Sequence, residues 1–479
     1  MTEADRGDHP QPTQAILASF LALTGGQLVA RGLTFLLTLH LTRALGAESF
    51  GILVLAGAVL GYAVLVVHFG FDTLALLEAG RRPDLIRRLA GSLVWLRIAL
   101  ALVGFVLLAA FVELAPLPDR TRVVAVLYGL SLSAYALDSS WAFLGALPVR
   151  PVAVAGVLAE ALILVSAWTW ISGPDDIARM PLIYLGGRLA GAAYLWGCFT
   201  LRFGRPIFAL DRPLLGSLFR EALPLAGAAV LAQLIYNFDV VLLGMWVGLA
   251  ETGHYGAAFR FVQLLRMLSI SYFRAFQSPL AWASREGLER VAVPFARGYQ
   301  VSGAIALGLT VGGGVLASDL VAYLFGDDYL PAAEPLRLLL VAFAFAVLSR
   351  HYRIALVAFG YNRFNFCQLA IAAALNIGLN VVFIPRHGIL ASAWAMVATE
   401  AFLFFVSYPA ARRWLGPVPS PGLLWRPALA ALALGGLLIA LAEWSLIARL
   451  GLGGAAYVLL LFSLGVIRVR ELADALLSR

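Results

Sequence analysis

The chain has 479 residues, 61% of them hydrophobic and only 13% charged, with a formal net charge of +8 and a mean hydropathy of +0.88. A soluble protein of this length has too little interior to hide so much apolar surface, so a membrane is the expected solvent. All 35 basic residues are arginine; without lysine there is no Walker A phosphate loop, and ATP hydrolysis by that route is excluded.

Residues 1–15 are acidic and proline-containing, unlike the basic start of a secretory signal, and read as an irregular cytoplasmic tail. Apolar runs of about 20 residues follow, each able to cross a hydrocarbon core of about 30 Å as a helix. They fall at 16–42, 50–72, 90–112, 122–145, 152–172, 181–201, 221–247, 253–278, 296–323, 335–359, 364–384, 389–411, 426–446 and 451–467, which predicts an all-α polytopic membrane protein of about 14 spans. Cys198 and Cys367 lie in apolar segments without metal-ligand spacing and read as small packing residues.

Basic residues collect in short cytoplasmic loops, so arginine placement orients the spans. Alternate connections carry Arg81, Arg82, Arg87 and Arg88; Arg150; Arg202, Arg205, Arg212 and Arg220; Arg274, Arg285, Arg290 and Arg297; Arg363; Arg412, Arg413 and Arg426; and Arg468, Arg470 and Arg479. The intervening ones are acidic or mixed, with Glu48, Glu113, Asp119, Asp175, Asp176, Glu251, Asp327 and Asp328. Both termini are therefore expected in the cytoplasm. The basic balance reflects this topology, and no nucleic-acid-binding module is visible.

An internal repeat is also visible. LTRALGAESFGILVLAG, from Leu41, parallels LGMWVGLAETGHYGAAF, from Leu243, and LGALPVRPVAVAGVLAEALILV parallels FGYNRFNFCQLAIAAALNIGLNVV. Units of six spans point the same way, as in transporters whose halves are related by an axis along the membrane normal. Gly/Ala-rich turns recurring between unrelated membrane helices are the competing explanation.

Arginines stand well inside several spans. A guanidinium at mid-bilayer costs roughly 2.5 kcal/mol or more, so Arg31, Arg266, Arg350 and Arg353 should face partners or water. Positions three, four, seven and eleven apart share a helical face. Gln27, Arg31, Thr34 and Thr38 share one on the first span, and Ser131, Tyr135 and Asp138 one on the fourth. Gln233, Tyr236, Asn237 and Asp239 mark the seventh; Arg260, Gln263 and Arg266 the eighth; Asn365, Gln368, Asn376 and Asn380 the eleventh. Either these faces line a hydrated cavity, or their amides and hydroxyls bond helix to helix. Arg97, Arg188 and Arg260 lie nearer span ends, where snorkelling is available. A cationic cavity selects an anion, and guanidinium forks match phosphate oxygens. Amide and tyrosine groups beside them suit sugar hydroxyls.

These residues resemble the polysaccharide-biosynthesis and oligosaccharide-flippase family (O-antigen flippase-like) of the multidrug/oligosaccharidyl-lipid/polysaccharide exporter superfamily. The likeness runs through LTRALGAESFGILVLAG, HFGFDTLALLEAGR, ALPLAGAAVLAQLIYNFDVVLLG, HYGAAFRFVQLL, LVAYLFGDDYLPAAEPLRLL, ALVAFGYNRFNF and LNIGLNVVFIPRHGILASAWAMVATE. It implies two six-helix bundles in a V around a central cavity, plus two C-terminal helices. The corresponding division is a tail at 1–15, an N-terminal bundle at 16–203, a cytoplasmic linker at 204–220, a C-terminal bundle at 221–415, and two further helices with a short cytoplasmic tail at 416–479.

The resemblance implies flipping of polyprenyl-diphosphate-linked oligosaccharide repeat units across the inner membrane of a bacterium, by alternating access, for O-antigen or exopolysaccharide synthesis. Cationic residues on the first and eighth spans of related lipid flippases engage the diphosphate; Arg31, Arg260 and Arg266 match, and Arg350 and Arg353 join them on physical grounds. Gln27, Thr34, Tyr236, Asn237, Asn376 and Asn380 are candidates for the sugar. Asp239, Asp138, Glu160 and Glu400 are candidates for coupling to H+ or Na+, or for permanent arginine pairing. No enzyme activity, cofactor or metal is expected; the expected partners are the lipid-linked oligosaccharide, membrane lipid, and the polymerase and glycosyltransferases of the same pathway.

Three other readings compete. A cation-coupled multidrug or metabolite exporter of the same superfamily would favour carboxylates and aromatics in its cavity. A membrane glycosyltransferase or polysaccharide polymerase/ligase needs acidic catalytic motifs, for which only Asp175–Asp176 and Asp327–Asp328 are candidates, both in short connections. A scaffold for a glycan-assembly complex would have no need of charge at mid-depth.

Overall fold

The computed structural model describes residues 12–146, 149–209, 211–286, 289 and 292–467. Most of the expected tail lies outside the described residues, as do Arg290, Arg468, Arg470 and Arg479. Among the described residues every regular element is helical. Among the described residues nine helical segments are long and apolar enough to cross a membrane, or ten if one bent pair counts as a span.

Internal contacts divide the chain into two units, Met1–Leu45 with Ile52–Gln233, and Gly46–Gly51 with Leu234–Arg479. In the first unit, α1 (Pro12–His68) holds the first two expected spans on either side of Gly46, whose φ of 71° and ψ of 173° interrupt the helix. Only glycine occupies that region without strain. Next come α2 (Phe71–Arg81) and α3 (Ile86–Leu114).

The expected span at 122–145 is broken into α4 (Asp119–Gly129), α5 (Leu132–Ala136) and α6 (Ser140–Ala146). The last break is chemical: the Asp138 carboxylate accepts the Ser140 N–H at 2.8 Å and the Ser140 hydroxyl at 3.1 Å, competing with helix continuation. Next, α7 (Arg150–Trp170) packs on α8 (Arg179–Phe203). Phe71, Leu89, Trp141, Phe143 and Phe199 form the core of this unit. On α3, Leu102, Val106 and Leu107 are more than half exposed, as side chains facing lipid must be.

The unit boundary falls inside α9 (Arg212–Trp246), after which α10 (Leu249–Glu286) begins the second unit's long helices. The span expected at 296–323 is α11 (Ala292–Val315) and α12 (Ala317–Phe325), bent by 77° after a Gly312–Gly314 run. Then α13 (Ala333–Ala358) packs on α14 (Asn362–Leu415). The latter is two helices, because Ser407 donates to Gln368 at 2.9 Å and Asn376 to Thr399 at 3.1 Å. Residues 39 apart in a straight helix would be separated by about 58 Å. Both pairs centre on the His387–Gly388 bond, so the chain reverses at Gly388, where φ is 54°. The C-terminal pair α15 (Trp425–Ala440) and α16 (Leu446–Ser463) packs on α11 through Leu434, Leu438 and Tyr457.

The two halves of the first repeat meet. A Cβ on Gly51 would strike the Leu249 carbonyl, and one on Gly253 the Ala47 carbonyl. The repeat offset carries Gly51 onto Gly253 and Ala47 onto Leu249, so the two approaches are equivalent under exchange of copies. That reciprocity is the mark of a local two-fold contact. A Gly/Ala-rich turn recurring by chance has no reason to seat on its own counterpart.

Candidate functional site

In the second unit, a small cleft of about 40 Å³ is lined by Tyr236, Arg266, Ser269, Phe273, Phe343, Ala346, Val347, Arg350, Arg353 and Glu400. Helical spacing places them there. Arg266, Ser269 and Phe273 stand three and seven apart on α10, and Phe343, Ala346, Val347, Arg350 and Arg353 step along one face of α13 at intervals of three, four, seven and ten. Glu400 enters from the returning arm of α14 and Tyr236 from the end of α9.

Among the described residues three guanidiniums share this cleft with one carboxylate. Tyr236 donates its hydroxyl to Glu400 Oε1 at 3.1 Å, and Arg266 Nη2 stands 3.9 Å from the same oxygen. The Arg266 guanidinium also lies over the Tyr236 ring, 4.0 Å from its centre, and Arg350 lies 5.5 Å from the centre of Phe273. Arg353 donates to Asn365 Oδ1 at 3.3 Å. Arg350 Nε is buried with no hydrogen-bond partner among the described residues, a strong acceptor-seeking group left open in a low-dielectric wall.

Of the arginines expected to bind an anion, Arg266, Arg350 and Arg353 are brought together. Arg260 shares α10 and is half-buried but is not among the lining residues. Arg31 belongs to the other unit and is exposed on α1. Of the residues expected to meet sugar, Tyr236 lines the cleft, while Asn376 and Asn380 are fully buried. Asn376 bonds Thr399 and so joins the two arms of α14, while the Asn380 amide returns to Asn376 on its own arm. Asn237 is half-buried on α9, and Gln27 half-buried on α1.

Thr34 instead joins a polar network of the first unit. It donates to Glu160 Oε2 at 3.0 Å, and Arg188 donates to the other oxygen at 2.7 Å. A second hollow, of about 210 Å³, opens beside Arg188, Tyr135 and Asp138 and is otherwise walled largely by alanine, glycine and leucine. Asp239, the remaining candidate carboxylate, is buried and held by the Tyr255 hydroxyl at 2.5 Å and the Val240 N–H at 2.8 Å. Each of the four candidate coupling carboxylates thus has a partner.

Arg97, near enough to a span end for snorkelling to be available, does not use it. It is 1% exposed, paired with Asp72 and donating to the Asp138 carbonyl at 2.8 Å. The signal for it in the sequence was Asp72, an acid at the end of an apolar run, whose partner no spacing rule could name. Ser269 and Phe273 were also missed as lining residues, although their helical phase with Arg266 marks them.

Comparison with solved structures places the architecture in a known class. The fold matches the lipid II flippase MurJ in an inward closed conformation, with a TM-score of 0.67 at 13% identity over 98% of this chain and 99% of that one. It also matches an inward-facing multidrug resistance MATE transporter of the MOP superfamily, with a TM-score of 0.64 at 14% identity over 84% and 98%. The protein is a multi-pass membrane protein with a MurJ- and MATE-like transporter fold. More particularly, the chain belongs to the polysaccharide biosynthesis protein family, whose model matches residues 16–277. Among curated relatives it is 24% identical over 327 residues to the succinoglycan biosynthesis transport protein ExoT of Rhizobium meliloti (strain 1021), covering 64% of this chain. The match spans less than two thirds of that relative's own length, 62%.

Proposed function

We propose that this protein is a secondary transporter that flips polyprenyl-diphosphate-linked oligosaccharide repeat units across the cytoplasmic membrane of a bacterium for cell-surface polysaccharide synthesis. The carrying observation is the second-unit cleft, where Arg266, Arg350 and Arg353 face a single carboxylate, Glu400. Even with Glu400 ionised the cleft holds two positive charges in excess, which favours a diphosphate and disfavours the cationic guest of a drug exporter. Family membership and the transport role in the name of ExoT support the same reading.

In this proposal about fourteen helices cross the membrane, with both termini inside. Alternating access opens the arginine cleft first to the cytoplasmic side and then to the other, while the polyprenyl tail stays in lipid. Arg31 and Arg260 add cationic contacts along the path. No substrate bond is made or broken. Any coupling to H+ or Na+ acts through Glu400, Glu160, Asp138 or Asp239, which must exchange their present partners to take up the ion.

The test is translocation of a fluorescent polyprenyl-diphosphate oligosaccharide in reconstituted vesicles. Paired replacement of Arg266 and Arg350 by alanine should reduce the rate at least tenfold, about 1.4 kcal/mol of lost interaction. Unchanged transport by the double variant would overturn the assignment of this cleft.

A further inference from the structure

Among the described residues Glu400 is the only carboxylate lining the cationic cleft, and its setting differs from that of a permanent structural ion pair. Its side chain is 2% exposed, and it faces Arg266 at 3.9 Å. That is close enough for charge attraction but beyond hydrogen-bond distance. The closer partner is a neutral one, the Tyr236 hydroxyl at 3.1 Å. Compare Glu160 in the first unit, which holds Arg188 at 2.7 Å in a charge-assisted hydrogen bond. Arg266 meanwhile lies over the Tyr236 ring, 4.0 Å from its centre, so an aromatic neighbour helps to fix the position of the guanidinium. Arg350, with Nε open, lies within the electrostatic reach of both Arg266 and Glu400.

We propose that Glu400 is a resident competitor for the anion site: a carboxylate that occupies Arg266 loosely when the cleft is empty, is displaced by the incoming phosphate oxygens, and returns to help expel them. This deepens the transporter reading and rests on it. A transporter must release what it binds, and three arginines without a counter-charge would hold a diphosphate too well. Glu400 sets the affinity by offering Arg266 an alternative partner of the same charge as the guest. Tyr236 serves both states, donating to Glu400 and supporting Arg266 from beneath, so the arginine keeps its place while its anionic partner changes.

The prediction has a sign that a positioning role would reverse. If Glu400 only held Arg266 in place, removing its charge would weaken anion binding; as a competitor, its removal strengthens binding. Purified protein in detergent is titrated with geranylgeranyl diphosphate, comparing wild type, Glu400→Gln, Arg266→Ala and the double variant. Glu400→Gln should bind about tenfold tighter, the range of an ordinary coupling between sites, and should turn over more slowly in vesicles because release is slowed. In the Arg266→Ala background the same change should lose most of its effect, since the competition has lost its object.

Tighter binding that persists without Arg266, or weaker or unchanged binding in Glu400→Gln, would overturn the proposal. Should Glu400→Gln fold poorly by size exclusion, Glu400→Asp withdraws the carboxylate by one methylene while keeping its charge, and a smaller increase in affinity of the same sign is expected. Failure of wild type to bind the probe at all, with Arg266→Ala equally inert, refutes the diphosphate reading instead, so the two failures are separable.

Discussion

At Arg97 and Asp72 the cost of a buried charge determines what a substitution does. Arg97 is 1% exposed, whereas the Asp72 side chain is 36% exposed and also contacts His68. Removing one member of a buried pair strands the other. Asp72→Ala strands the inaccessible guanidinium, leaving it the Asp138 carbonyl as its remaining acceptor. Arg97→Ala strands only the carboxylate, which keeps His68 and some water. Asp72→Ala should therefore be the more damaging, by an unfolding free-energy loss of about 3 kcal/mol, and Arg97→Ala the milder. Thermal unfolding in detergent measures the order directly; the reverse order would mean that the stranded guanidinium is not what sets the cost and that the Arg97 side chain stabilises the fold beyond its pairing with Asp72. The same asymmetry explains why the sequence left the setting of Arg97 open. Distance from a span end locates the Cα, while burial depends on which neighbouring helix supplies a carboxylate.

Between helices, two kinds of glycine carry the architecture. Gly388 turns α14 back on itself at φ 54°, ψ −135°, and Gly46 divides α1 at φ 71°, ψ 173°. A side chain at either position meets backbone strain of roughly 1–3 kcal/mol. Gly51 and Gly253 are different: their constraint is space, since an added methyl would strike a carbonyl of the other copy of the repeat. Gly51→Ala and Gly253→Ala should each destabilise by about 1–3 kcal/mol, as overpacking does, and by similar amounts because the contacts are reciprocal. Gly378→Ala, on α14 with open space around its Cβ, is the control and should be neutral or mildly stabilising. A loss at Gly51 with none at Gly253 would show that the reciprocity has no energetic content. Helix positions were legible because apolar runs of membrane length are hard to mistake. The breaks were not: the interruption at Asp138–Ser140 depends on one carboxylate accepting local donors, and the 77° bend between α11 and α12 on glycines that tolerate several conformations.

For the molecule as a whole, arginine has two separable uses, and only one was fully legible. Inside spans, the clustering of Arg266, Arg350 and Arg353 could be anticipated as mid-depth charge, but their meeting around Glu400 required the packing of α9, α10, α13 and α14. Asn376 and Asn380 share the same polar phase yet both are fully buried, Asn376 bonding Thr399 of the returning arm and Asn380 bonding Asn376, because helical phase identifies a polar face without saying whether water or another helix meets it. In the connections, arginine acts before folding, by resisting passage across the membrane during insertion, so its pattern is readable without tertiary structure. That pattern makes a sharp prediction of sidedness. In a variant with Cys198 and Cys367 replaced by alanine, single cysteines are introduced at four exposed positions, Arg82, Asp175, Asp328 and Arg413. Intact cells treated with a membrane-impermeant maleimide should label Asp175→Cys and Asp328→Cys, while Arg82→Cys and Arg413→Cys react only after permeabilisation. Arg82 and Asp175 are separated by the expected third, fourth and fifth spans, and Asp328 and Arg413 by the tenth to twelfth, so each pair tests an odd number of crossings within one unit. Labelling of Arg82→Cys and Asp175→Cys from the same side would require an even number there, and the broken helix α4–α6 would then be the segment that fails to cross.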